Sequence, residues 1–528
     1  MDQFVSRIKV NLCPARVCRE YMIGEGPRSF KNSLSIGRFC FVLIVSTWTT
    51  ARPEGILLAG EIIVPLKRVI TTDEASGPGL IRGIGLKSAT ALVIANIIGA
   101  GIFTSTGFQA GVLGHPGYIF LLWIVGGILA LCGALCYAEL GAAMPRAGGE
   151  YVYLRQTYGL SFGFMSAFVS LFAGFAAPIA SALKSLVRYL THFFPGLASD
   201  PVLWGFISVN DWIAIALAWA LVAIHLRGVR GGIRFNDGIT LLKLSGIILI
   251  VIAAALIGKG QIANLTQVSA HYGALSESDK LGAFANSLIF VMFCYSGWNA
   301  SAYVAGEIKD PQKNLPRSLM LGTIIVVVLY LALNAVYFYG ANVDTLANKV
   351  EVGLIASRAL FGNAGATLVT TVLSISLFAS ASAMTIAGPR VYYALGKDFP
   401  PFRLFATTAR STGAPAASLL LQGVITSVMI LSGRVDQIQQ YVGCTLTLFS
   451  CIAISCVIVL RIRSPQMARP FRAWGYPVTP LLFLAVSAWA LIWNFRGRPV
   501  ESMLSLATVF LGGAIFYLMT SRRAKPNK

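Results

Sequence analysis

Two short stretches combine glycine with apolar neighbours in a way that suits ligand binding rather than covalent chemistry. The first is Ile97-Ile98-Gly99-Ala100-Gly101-Ile102-Phe103; the second is Phe293-Cys294-Tyr295-Ser296-Gly297-Trp298-Asn299. Each lies in the middle of a long apolar run. Glycine costs about 1 kcal/mol relative to alanine inside a helix, so both runs are weakened at their centres. A break there frees N–H groups at the start of one half-helix and C=O groups at the end of the other. The N–H end attracts a carboxylate, and the C=O end attracts an ammonium. A zwitterion with both groups on one carbon suits such ends. No side-chain charge is needed, which matters because charge at membrane depth is costly. Taken alone, the first stretch reads equally well as close helix packing at small residues. The second interruption tips the balance, because paired interruptions in corresponding halves of a chain point to a transporter's binding site.

Other candidate residues are fewer. Lys243 sits inside the apolar run Thr240-Leu241-Leu242-Lys243-Leu244-Ser245-Gly246. A lysine there either snorkels to the membrane surface or makes a buried tie. Glu139, Glu150 and Glu307 stand near the ends of apolar runs. They read as structural or gating groups paired with loop arginines such as Arg146, Arg155 or Arg317, with proton coupling the lesser alternative. Asn299 is polar at membrane depth and either lines the site or bonds between helices, and Tyr295 reads as packing. Cys132, Cys136, Cys294, Cys444, Cys451 and Cys456 fall in apolar runs without metal or disulfide spacing. The four histidines are scattered, so neither a metal nor a cofactor is expected. There is no nucleophile–base constellation and no phosphate-binding G-x-x-x-x-G-K-[ST] loop. These absences weigh against an enzyme and against an ATP-driven pump.

The elements that must carry these residues follow from composition. The chain has 528 residues, of which 56% are hydrophobic and 12% charged, where a soluble domain carries about 25% charged. Lipid is the solvent such a chain suits. Apolar runs long enough to cross a bilayer as helix recur along it, and the alternating segments of a barrel do not. The runs predict twelve membrane helices, near 87–112, 117–143, 161–190, 210–226, 236–258, 281–306, 317–340, 365–393, 415–433, 439–461, 475–494 and 502–520. The formal charge of +21 does not imply nucleic acid, because lysine and arginine gather in cytoplasmic loops of membrane proteins. Alternate loops carry Arg146 and Arg155; Arg227, Arg230 and Arg234; Lys309, Lys313 and Arg317; and Arg461, Arg463, Arg469 and Arg472. Placing these loops inside puts both termini in the cytoplasm and the chain in the inner (cytoplasmic) membrane. Residues 1–80 differ from the rest and read as a disordered or weakly helical extension, or as a mis-assigned start. Residues 81–528 read as the membrane domain. In it, 87–258 and 281–461 form two repeats of opposite orientation, followed by two helices at 475–520.

Four stretches in order resemble one family. They are Ile97 to Phe103; Tyr137-Ala138-Glu139-Leu140-Gly141 through Gly148-Gly149-Glu150-Tyr151; Phe293 to Asn299; and Glu307-Ile308-Lys309-Asp310-Pro311 through Asn314-Leu315-Pro316-Arg317. Over roughly residues 80–520 the chain resembles the amino acid–polyamine–organocation superfamily, and within it the bacterial relatives of L-type amino acid transporters. The resemblance implies an all-α membrane protein with the LeuT-like 5+5 inverted repeat and broken helices 1 and 6. It implies that N–H groups near Ala100, Gly101 and Ile102, beside Gly99, hold a substrate carboxylate. Carbonyls at Ile97, Phe293 and Ser296 would hold its amino group, with Phe293 as an aromatic lid and Gly297, Trp298 and Asn299 completing the site. Ala100 departs from the commoner serine between the glycines, which removes a hydroxyl contact. Lys243 would replace a bound sodium ion, bridging the first helix near Ala95 or Gly99 to the eighth near Ser374, Ser376, Ser380 or Ser382, as a fixed charge or a proton-linked switch.

The expected function is secondary active transport of L-amino acids, neutral ones favoured, by exchange or proton symport without sodium. Cationic amino acids or polyamines are the alternative, and a non-transporting amino acid sensor is a further one. The expected partners are the amino acid, protons in the symport case, and the lipid bilayer; the sequence names no partner subunit and no side-chain preference.

Overall fold

A computed structural model describes residues 82–146, 148–204, 207–227, 229–407 and 415–523. The expected N-terminal extension over 1–80 therefore lies outside the described residues. The described chain is almost wholly helical, and eleven of its helices are long and apolar enough to cross a membrane.

The first span is two helices, α1 (Leu86–Ile97) and α2 (Ala100–Leu113). Then come α3 (Pro116–Ala143), a short connecting helix α4 (Glu150–Tyr158), α5 (Leu160–Leu190), α6 (Val209–Leu226) and α7 (Val229–Ile257). α8 (Glu277–Tyr295) runs through a 3-10 turn at Ser296–Asn299 into α9 (Ala300–Tyr303). α10 (Pro311–Gly340), α11 (Val352–Asp398), α12 (Ala416–Ser432), α13 (Val435–Arg463), α14 (Val478–Gly497) and α15 (Pro499–Arg523) complete the described chain. A two-stranded antiparallel hairpin, Val202–Trp204 with Ile207–Ser208, lies between α5 and α6.

Local chemistry explains several boundaries. α2 stops at Gly114, which takes the left-handed conformation with φ 58°, a position glycine fills at little cost. His115 and Pro116 then start α3 at once, because proline's missing N–H is harmless in a first helical turn. The 28 residues of α3 give a rod of roughly 42 Å, enough for a hydrocarbon core of about 30 Å.

Three features depart from the sequence reading. The segment expected as the ninth span forms the apolar helix α12, whose 17 residues leave it shorter than the eleven helices long enough to cross. The segment expected as the eighth span, 365–393, is helical, and a separate helical stretch from Val352 precedes it within α11. A kink at Gly362, φ 70°, divides it. α5 contains a π-helical segment at Ser170–Ala176, a local widening that often marks functional positions.

The interrupted first span is central: 67% of its apolar window is buried, against 11% for the span within α15. α10 packs along both α1 and α3, and α8 packs against α2 and α13. The two interrupted spans are also fastened at one end. The Ile84 N–H donates to the Glu307 carbonyl at 3.0 Å, and the Lys309 N–H donates to the Ile84 carbonyl at 2.9 Å. The segment entering α1 and the segment leaving α9 are thus joined as a short parallel bridge.

Candidate functional site

The first interruption is a true break. Ile98 (φ −71°, ψ 89°) and Gly99 (φ −122°, ψ −156°) leave the helical region between α1 and α2. A helix start leaves its first N–H groups without intrahelical partners, here those of Ala100, Gly101 and Ile102, while the Gly99 N–H meets the Tyr330 hydroxyl. A Cβ added at Gly99 would meet a single atom, the Ile97 carbonyl oxygen, at 3.8 Å. The position of a Cβ at Gly99 is therefore open.

The second interruption is different in kind. Ser296–Asn299 keeps a helical sense and tightens to 3-10. The Ser296 N–H donates to the Phe293 carbonyl, and the Ala300 N–H to the Gly297 carbonyl. Of the three carbonyls expected to hold an ammonium, Phe293 thus already accepts one bond. Ile97 accepts another, from the Tyr330 hydroxyl at 2.7 Å. Each retains a second lone pair.

The breaks are pressed against each other. A Cβ at Gly297 would lie 2.4 Å from the carbonyl carbon of Asn96 and 2.6 Å from the Ile97 nitrogen. One at Gly101 would lie 2.5 Å from the Cys294 Sγ and 2.9 Å from its Cα. Tyr330 spans the two, donating to the carbonyls of Ile97 and, at 3.2 Å, Cys294. Tyr330 carries no local signal in the sequence; only the packing of α10 across both breaks brings it there.

The structure gathers Ile97, Gly99, Ala100, Gly101, Ile102, Phe293, Ser296 and Gly297 around the junction, with Phe293 buried on α8. It sends the other two candidates elsewhere. The Trp298 ring lies against Gly133 of α3, and its centroid is 4.5 Å from that of Tyr137 in an edge-on contact. Asn299 turns to Glu150, donating Nδ2–H to Oε1 at 2.9 Å.

Lys243 of α7 is buried. Its Nζ donates to the Ala95 carbonyl at 3.1 Å, to the Ser380 hydroxyl at 2.9 Å and to the Ile98 carbonyl. Ser380 itself donates to Ile98 at 2.7 Å. Carbonyls released where α1 ends are therefore held by an ammonium and a hydroxyl from α11. Of the other serines considered, Ser376 bonds within its own helix, Ser382 bonds His225, and the buried Ser374 hydroxyl has no partner among the described residues.

The three carboxylates do not pair with Arg146, Arg155 or Arg317. Glu139 takes a two-pronged bond from Arg461 (2.6 and 2.9 Å), a contact from Arg469 at 3.5 Å and the Ala473 N–H at 2.7 Å. Glu307 lies 4.0 Å from Arg390. Arg155 is committed to Asp398 at 2.7 Å. Glu150 has no cation partner among the described residues. Its Oε1 accepts from the Tyr137 hydroxyl at 2.5 Å and from Asn299. Burial pushes its carboxyl above the ordinary value, and those two hydrogen bonds pull it part of the way back. The partners expected from proximity in sequence lose to residues on α11 and α13, which helix packing brings closer.

Comparison with known proteins adds to this geometry. The family model described as amino acid permease matches residues 84–516. The large neutral amino acids transporter small subunit 2 of Mus musculus is 29% identical over 457 residues, covering 85% of this chain and 83% of that protein. The serine/threonine exchanger SteT of Bacillus subtilis (strain 168) is 27% identical over 449 residues, covering 84% and 98%. The Asc-type amino acid transporter 1 of Mus musculus is 28% identical over 456 residues, covering 85% and 83%.

Proposed function

The chain belongs to the amino acid permease family, and from that premise we propose that it exchanges neutral L-amino acids across the cytoplasmic membrane without sodium. The observation that carries this reading is the break at Ile98–Gly99. It offers unpaired N–H groups beside open space, while an ammonium already occupies the carbonyls where α1 ends. A zwitterion's carboxylate is drawn to the N–H end. Lys243 supplies the positive charge that a sodium ion would otherwise bring to the Ala95 and Ile98 carbonyls and the Ser380 hydroxyl. The names of two relatives, a large neutral amino acids transporter subunit and a serine/threonine exchanger, support neutral cargo and exchange over cationic amino acids or polyamines.

In this reading residues 81–528 form the transporter domain and 1–80 an extension. α12 counts as a twelfth span, and 87–258 and 281–461 are inverted repeats. Both termini face the cytoplasm, as the basic loops favour. Transport proceeds by rocking one set of helices against the other around a fixed site. Ala100, Gly101 and Ile102 bind the carboxylate; Ile97, Phe293 and Ser296 bind the amino group through their second lone pairs.

The test is uptake into proteoliposomes preloaded with amino acid, with each of the twenty amino acids as competitor. Neutral amino acids should compete, uptake should require internal amino acid, and choline in place of sodium should leave the rate unchanged. Competition by cationic amino acids alone would move the substrate class. Binding without uptake would make the chain a sensor.

A further inference from the structure

Two buried carboxylates lie on the same side of the membrane domain, eleven positions apart in sequence, and are treated in opposite ways. Glu139 is paired with the guanidinium groups of Arg461 and Arg469. Glu150 is also buried, at 6% exposure, and its hydrogen-bond partners among the described residues are neutral groups. From α3 comes the Tyr137 hydroxyl, and from the 3-10 turn the Asn299 amide. Tyr153 on its own helix, Tyr303 on α9 and Cys456 on α13 also face it. The Tyr303 hydroxyl is within 3.4 Å of the same Asn299 amide. The Tyr153 hydroxyl is buried without a hydrogen-bond partner. No lysine, arginine or histidine among the described residues forms an ion pair with Glu150.

We infer that Glu150 is a proton-binding site that sets how firmly the second interruption is held to α3 and α4. As a carboxylate it grips Asn299 and Tyr137 by charge-assisted hydrogen bonds, which are roughly twice as strong as neutral ones. As a neutral acid it holds them weakly and frees the α9 end. The proton comes from water: exposed Arg146 lies four residues back, across the Gly148-Gly149 turn. Burial without a cation disfavours the charged form, so protonation occurs above the usual carboxylate range. Glu150 is a positioning residue, because it acts through Asn299 and does not touch the N–H cradle. Release of the α9 end also reaches α1, since Ile84 is bonded on both sides of Ile308. Acid should therefore speed the movement that exposes the site on this face.

This inference rests on the exchanger reading, and the test separates the two. Exchange of labelled L-leucine and L-serine is measured in proteoliposomes at equal internal and external pH between 5 and 8. Neither side chain titrates in that range, so the profile reports on the protein. Wild-type exchange should rise severalfold as pH falls. Glu150→Gln, permanently neutral, should run at the acid rate throughout. Tyr137→Phe keeps the ring contacts and removes one donor to the charged form. It should move the wild-type midpoint up by about one pH unit. A flat wild-type profile, or a Gln variant with the wild-type slope, overturns the inference and leaves the exchanger reading intact. Absence of exchange at every pH overturns the exchanger reading itself. If the Gln variant does not reach the membrane, the Tyr137→Phe midpoint decides, and an unmoved midpoint counts against the inference.

Discussion

The two interrupted spans look alike in sequence and differ in structure. Between α1 and α2 the backbone leaves the helical region for two residues and is open at Gly99. Between α8 and α9 it stays wound as a 3-10 turn and is pressed onto α1 at Gly297. One interruption is thus a cradle with unpaired donors. The other is a close-packed brace, with carbonyls partly used by its own tightened turn. Glycine serves opposite ends here: open space at Gly99, and close contact between the two spans at Gly101 and Gly297. A glycine in a membrane helix does not announce which of these it does, because both need only the absence of a side chain.

Substitutions can break this contrast. The largest effect is expected from Gly297→Ala. Its Cβ would overlap backbone atoms of Asn96 and Ile97, which cannot rotate away, so a loss of about 3 kcal/mol is expected, the upper end for overpacking. A lowered melting temperature of the purified protein, together with lost exchange, would show it; an unchanged melting temperature would mean that the brace is loose. Lys243→Ala comes next. It removes three donor contacts from the end of α1 and α11 and touches nothing at the second interruption. Exchange should fall on the order of 100-fold, since bonds from charged donors each contribute about 1.5–3 kcal/mol. Undiminished exchange would remove Lys243 from the site.

Gly99→Ala sharpens the contrast most directly. The added methyl meets no protein atom closer than 3.8 Å, and the extended backbone there accepts any residue. Stability should stay within about 0.5 kcal/mol of wild type, while exchange falls about tenfold because the methyl enters ligand space. A destabilised variant with normal exchange would assign Gly99 to packing. The smallest effect is expected from Tyr330→Phe, which removes the hydroxyl shared by Ile97 and Cys294. A cost of about 1 kcal/mol is expected, read as a few-fold slower exchange with a small drop in melting temperature.

Much of this was legible in advance and some was not, for identifiable reasons. Apolar runs located the spans because crossing lipid demands about 20 residues of helix whatever surrounds them. The interruptions were visible because glycine and polar residues are rare enough in such runs to stand out. The π-helical segment of α5 left no such mark, because it is built from residues that suit an ordinary helix. Among side chains, Lys243 was conspicuous as a charge in an apolar run, whereas Tyr330 looked like any other membrane aromatic.

Sequence alone therefore determined the solvent, the class of fold and the two places where the helices are weak, since these follow from composition and local conformational cost. Tertiary structure decided what each weak place does. The partner of Glu139 lies 322 positions away at Arg461, and Lys243 reaches Ala95 across 148. Trp298 turns to α3 and Asn299 to Glu150 because α8 and α9 pack against α3 and α4. Hydrogen bonds and ion pairs act over a few ångströms in space, and only helix packing sets which distant residues come within that reach.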